Sequence, residues 1–278
     1  GHDRFTTRRY QQGTKSGLSI LDALLPSLNQ AISNQQVTLL TGTSATALLQ
    51  QPSGAITGVT LDGPFGRQDV KASHVVVATG GCAANPRLFE ELHGVPLYAQ
   101  TAYPTSLGSG LLLGMSAGAA IVGAEKYACL PGLIPDAYRY PCQMFAYAPL
   151  NPAARSPWEI VVNARGERFV REDHPSVHQI ERGIYRQPGH RHWAIFDADM
   201  LEKSPPIIPD WTRERIAKEH QSNPMFHSAM SLNELAFRAG LNPSTVAATV
   251  NDYNHSIAIG GTDAYGRVFR PSPLVKPP

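Results

Sequence analysis

The chain has 278 residues, enough for one large or two ordinary domains, and its 42% apolar content supports a packed core and excludes a disordered polypeptide. With a net charge of +2 and 17% charged residues it carries no basic field suited to nucleic acid or to an anionic membrane surface. The three cysteines, Cys82, Cys129 and Cys142, lack CxxC spacing, which argues against a disulfide framework or structural zinc and makes the cytoplasm the expected location.

No apolar run approaches the length of a membrane span, so no direct membrane segment is expected. Gly1-His2 reads as the scar of a purification tag, and both ends are expected to be cut edges of a longer protein. Residues 16–32 place Leu18, Leu21, Leu25, Leu28 and Ile32 at helical spacing behind Ser16 as N-cap, with Pro26 as a bend. Val37 to Leu49 reads as strand pieces broken at Gly42, and Ala55 to Leu61 as the next strand of a hairpin or meander.

Gln68 to Ser73 then leads into Val75-Val76-Val77-Ala78-Thr79-Gly80-Gly81. Three β-branched residues in a row predict a fully buried strand, and the paired glycines let the backbone turn sharply and approach a ligand closely. In open α/β sheets such a strand end is where nucleotides sit, because no Cβ blocks them. Leu107-Gly108-Ser109-Gly110 opens a helix of small residues over 111–120, whose first amides suit an anion as well as a plain cap at Ser109.

Tyr127 to Pro157 crowds prolines and aromatics without periodicity and reads as a long irregular segment. Trp158 to Asn163 is a strand, the turn at 164–167 sends Arg168-Phe169-Val170 back against it, and Arg191 to Asp197 is a further strand. Helices are expected over 210–218, 232–239 and 244–258, the last started by Asn242-Pro243-Ser244 with Val246, Val250, Tyr253 and Ile257 on one face. His174 and His178 stand i, i+4, near Glu181, His190 and His192, but Pro175 spoils the first turn of a helix-borne pair and no metal is expected. Cys129 and Cys142 have no adjacent base and are not expected to be nucleophiles.

Taken together, the glycine turn at 54–59, the stretch Val75–Gly81 with Asn85, Gly108-Ser109-Gly110, the run 162–169 with Glu172, Ile195-Phe196-Asp197, 232–236 with 240–243, Tyr253-Asn254, Gly266-Arg267 and Pro277-Pro278 resemble the flavoprotein subunit family of fumarate reductase and succinate dehydrogenase. Its wider relatives include 3-ketosteroid and tricarballylate dehydrogenases. The resemblance implies an α/β plus α+β architecture: a partial Rossmann-like FAD-binding domain with a β-meander over 3–115, an α+β capping domain over 116–263, and a return segment over 264–278. The family's phosphate-binding G-x-G-x-x-G and its closing glycine-rich segment are expected outside this chain, so the isolated chain is expected to be inactive.

The chemistry implied is hydride transfer between the flavin of FAD and a carbon next to a carbonyl or carboxylate, with a protein group moving the second proton. By the same resemblance Ala78, Thr79, Gly80 and Gly81 line the flavin, Ala45 offers its backbone to the adenine, and Ser109 takes the place of the Asp in the family's G-D-G turn. Arg155 falls where a proton-relay arginine sits, its acidic neighbour aligning with Pro152. Ser176 and Leu130 stand where the fumarate-reducing branch has an acid arginine and a carboxylate-binding histidine, which argues against fumarate itself. Arg168 reads as an ion-pair partner of Glu172. A small organic acid or ketone is the expected substrate, with an electron-transfer partner. The competing reading is a non-catalytic accessory module on the same scaffold.

Overall fold

The computed structural model describes residues 14–15, 17–127, 131–152 and 155–276. Among them are eight α-helices and three small antiparallel sheets, a mixed α/β architecture in two compact units. One unit holds 14–95 and 102–125; the other holds 96–101 and 126–276.

The first unit opens with helix α1, Gly17–Ser33, and continues into an antiparallel meander of β1, Ser44–Gln50, β2, Ile56–Gly63, and β3, Gly66–Lys71. The central strand pairs Val59 with Leu48 on one side and Val70 on the other. Gly58 lies so close to β3 that a Cβ there would stand 2.2 Å from the Val70 carbonyl oxygen. Helix α2, Pro86–His93, is capped by the Asn85 side chain, which accepts from the Leu88 N–H, and stops at left-handed Gly94. Helix α3, Ser109–Ser116, follows.

Three expectations fail in this unit. The apolar stripe of α1 buries none of its residues, Leu18 being 62% exposed, and its expected cap Ser16 lies outside the described residues. Residues 37–40 are exposed coil, so the first strand begins only at Ser44. Most important, Val75–Gly81 is neither a ladder strand nor buried: it runs without sheet pairing, and Val76 is 88% exposed. A β-branched run becomes a buried strand only when flanking strands satisfy its backbone and cover both faces. Among the described residues of this unit no strand takes that place.

The second unit is organised on β6, Ile160–Asn163, all four of whose residues are buried. It pairs antiparallel with β7, His192–Ile195. The expected return leg at 168–170 makes a single bridge, Val162 to Arg168, because the turn is closed by Asn163, whose side chain accepts from the Arg165 and Glu167 N–H groups, and because Arg168 turns into a charge network. The irregular stretch expected over 127–157 contains a short hairpin of β4, Leu133–Pro135, and β5, Met144–Tyr147. Helices α4, Val177–Tyr185, and α5, Ala198–Lys203, follow. They are succeeded by α6, Arg213–Ser222, α7, Leu232–Arg238, and α8, Pro243–Ala258.

Val246, Val250 and Tyr253 on one face of α8 pack with Ile160, Val162 and Met200 into the main core. Each fully buried aliphatic side chain of this kind contributes about 1.5–3 kcal/mol. Residues 264–276 run back along the same core: Leu274 is buried in it and exchanges hydrogen bonds with the Asn254 amide at 2.8 Å in both directions. No helix among the described residues is long and apolar enough to cross a membrane.

Candidate functional site

In the first unit the glycine turn is held from one side and open on the other. The Thr79 hydroxyl accepts from the Gly110 N–H at 3.1 Å, and the Gly81 carbonyl accepts from the Gly108 N–H at 2.9 Å. Asn85 ties the following loop to the Leu107 carbonyl. The approach of α3 needs both glycines of Gly108-Ser109-Gly110: a Cβ on Gly110 would lie 2.2 Å from Thr79 Oγ1, and one on Gly108 2.4 Å from Leu88 Cδ2.

The other side carries no such contact. Among the described residues a Cβ at Gly80 or Gly81 would meet nothing within 4 Å, Gly80 is left-handed at φ 77°, and Ala78 to Gly81 are all exposed. The result is a bare backbone surface of the kind a flat ring or pyrophosphate needs. Ser109 is exposed at the first position of α3, behind left-handed Gly108, with no side-chain cap bond there. Thus Ala78–Gly81 and Ser109 are brought together, while Ala45 stands in β1, exposed and paired with Leu61.

In the second unit Arg155 is buried, its side chain only 7% exposed. One guanidinium nitrogen is ion-paired with Glu159, itself 1% exposed, and another donates to the Ser156 carbonyl. Glu159 also accepts from the Trp158 N–H at 3.1 Å. Beyond it lies a buried charge network. Arg168 donates to both Glu172 oxygens and to Asp263, Arg267 reaches Glu172 at 3.5 Å, and Arg267 also donates to the carbonyls of Glu159 and Phe269.

Burial works against the charge of Arg168, but Glu172 and Asp263 hold it more firmly protonated than usual. Burial likewise opposes ionisation of Asp263, and Arg168 with the N–H groups of Tyr265 and Arg267 overcomes it, leaving the carboxyl below the usual range. The rings of Tyr253 and Tyr265 face the Arg168 guanidinium at 5.5 and 4.9 Å. Arg168 and Glu172 are therefore the structural pair expected of them.

Sequence reasoning missed Glu159 and Asp263. The i, i+4 spacing from Arg155 was a usable signal for the first; Asp263 is 95 residues from Arg168 and gave none. Ser176 stands at the N-cap position of α4 without a side-chain cap bond, while Cys129 and Leu130 lie outside the described residues. His174 precedes α4 and accepts from the Ser176 N–H, and His178 pairs with Glu181 at 2.9 Å. No group of three or more metal-ligating side chains occurs among the described residues.

His192, opposite Asn163 in the β6–β7 pair, keeps its Nδ1 buried without a partner among the described residues, and burial pushes its pKa down to about 4. The unfolded chain takes up a proton on this histidine near pH 6.5, whereas the folded chain resists until about pH 4. Stability is therefore expected to fall as pH drops through that window, by up to about 3 kcal/mol. Urea titrations of the wild type and of His192→Gln across the window check this: the variant is expected to show the flatter profile, and equal slopes would refute it.

The mixed α/β architecture has counterparts among solved structures and known families. It is similar to the crystal structure of 3-ketosteroid delta1-dehydrogenase from Sterolibacterium denitrificans, with a TM-score of 0.61 and 20% identity over 85% of this chain and 43% of that one. The chain belongs to the FAD binding domain family, which it matches over residues 3–277. Its relatives include a cytochrome-type fumarate reductase of Shewanella frigidimarina, 26% identical over 86% of this chain and 39% of the relative. Another is a 3-oxosteroid 1-dehydrogenase of Mycolicibacterium smegmatis, 28% identical over 69% of this chain and 38% of the relative. The chain spans less than half the length of these relatives. FAD is the cofactor of the family, and the Cβ-free turn at Gly80-Gly81 fits a flat, phosphate-bearing group.

Proposed function

We propose that this chain is part of an FAD-dependent oxidoreductase acting on a CH–CH bond next to a carbonyl or carboxylate of a small organic acid or ketone. The observation that carries the reading is the open glycine turn, set within a family match that runs from residue 3 to residue 277. In this reading residues 3–115 are the middle of a Rossmann-like FAD-binding domain, 116–263 its capping domain, and 264–278 a return segment. When bound, the flavin supplies a hydride acceptor or donor. Ala78, Thr79, Gly80 and Gly81 would lie against it, Ser109 would offer the first amide of α3, and the Ala45 backbone would take the adenine. Arg155 is the proposed catalytic cation, relaying a proton on the substrate side or anchoring the substrate, while Glu159 balances its charge.

The departures at Ser176 and Leu130 support a substrate other than fumarate, and the exposed stripe of α1 with the unpaired Val75–Val77 supports an inactive isolated chain. A cytoplasmic location and an electron-transfer partner belong to the same reading. Full-length protein purified from its host is expected to show visible flavin absorption that bleaches when a suitable donor is added anaerobically. A colourless protein that cannot be loaded with FAD would overturn the proposal in favour of a non-catalytic accessory module.

A further inference from the structure

The Nε–H of Arg155 is sealed from solvent and meets no acceptor among the described residues, although the rest of the guanidinium is engaged. An unsatisfied buried donor costs about 1–3 kcal/mol, more when charged, and native structures rarely tolerate one. Arg155 is also on the wall of a cavity with room for about one water molecule, shared with Asn151, Glu159, Val161, Glu172 and Ile180.

We infer that this cavity is a buried water site that completes the coordination of Arg155. The water accepts from Arg155 Nε–H and donates to the Glu159 carboxylate, so that the pair is joined twice, once directly and once through the solvent molecule. Of the two carboxylates on the wall, the acceptor inventory selects Glu159. An ionised carboxylate accepts about four hydrogen bonds. Among the described residues Glu159 has two partners, Arg155 and the Trp158 N–H, while Glu172 already serves Val161 N–H, two nitrogens of Arg168, and Arg267.

The same inventory rejects an anion. A halide would take the Nε–H bond but would face two buried carboxylates, whereas water accepts on one side and donates on the other. The consequence is positional. With Nη2 bonded directly and Nε–H through the water, the single edge of the guanidinium that carries both is fixed to Glu159, Arg155 is held in one orientation, and Glu159 is its positioning residue. The site lies within a single unit and stands independently of the reaction proposed above.

A high-resolution crystal structure of the full-length protein tests this, with a second crystal soaked in bromide. A water peak within hydrogen-bonding distance of Arg155 Nε and a Glu159 oxygen is the expected result; an empty cavity, or anomalous bromide signal in it, would overturn the proposal. In solution, the Arg155 Nε–H resonance is expected to show a cross-peak to a long-lived water. Val161→Ile, which fills the cavity, should abolish that cross-peak, and Glu159→Gln should speed Nε–H exchange by about tenfold. Should a variant fail to fold, the wild-type cross-peak decides alone, its absence being fatal.

Discussion

Replacing Asp263 with alanine is expected to destabilise the second unit by about 3–5 kcal/mol, the cost of stripping one partner from a buried ion pair. The carboxylate is 3% exposed, its Oδ2 lies 2.6 Å from Arg168 Nη1, and its Oδ1 accepts from the N–H groups of Tyr265 and Arg267. Removal leaves Arg168, itself 7% exposed, with one carboxylate where it had two, and frees two backbone donors in a region closed to water. Those losses differ in kind, and Asp263→Asn separates them. Asparagine keeps an acceptor for the backbone donors but drops the charge, so it should recover part of the loss.

Urea denaturation followed by circular dichroism provides the measurement, and a loss below about 1 kcal/mol for the alanine variant would place this carboxylate among ordinary surface ion pairs. The sign with pH is also fixed. Because the folded carboxyl titrates below its unfolded value, its contribution is present above about pH 4 and disappears as pH falls through the lower folded pKa. The alanine variant should therefore lose less stability than the wild type on acidification below pH 4.

This network also explains what the sequence could and could not reveal. Helix α8 was legible because its cap, its proline and its apolar face all lie within 16 residues and agree with one another. The meander was legible for the same local reason. Val75–Val77 was misread because β-branched runs report a preference for burial, and burial is granted by other strands. Composition cannot say whether those strands are present. The glycine turn was found as a motif, yet its packing against Gly108 and Gly110 joins positions about 30 residues apart and needed coordinates. Arg155 stands out by resemblance, but the resemblance points to position 152 for its acidic neighbour, and the acid that holds it is four residues on the other side.

Gly108→Ala is expected to cost about 2–6 kcal/mol, combining about 1–3 kcal/mol for a side chain in the left-handed region with a similar overpacking term. Gly108 sits at φ 79°, and an added Cβ would stand 2.9 Å from Cys82 Cβ as well as 2.4 Å from Leu88 Cδ2. The leucine tip can move; the Cys82 side can yield only by shifting the turn that carries Gly80 and Gly81, to which Gly108 is hydrogen-bonded. Flavin retention in the full-length protein should therefore fall together with thermal stability. Gly80→Ala supplies the contrast. Its Cβ would meet no atom of the described residues within 4 Å, so only the backbone strain at φ 77° should register in the apoprotein. If the turn lies against the cofactor, that same methyl group occupies the space the flavin needs, and Gly80→Ala should lose flavin out of proportion to its stability. Equal flavin occupancy in Gly80→Ala and wild type would remove the turn from the cofactor site, whatever Gly108→Ala did to the fold.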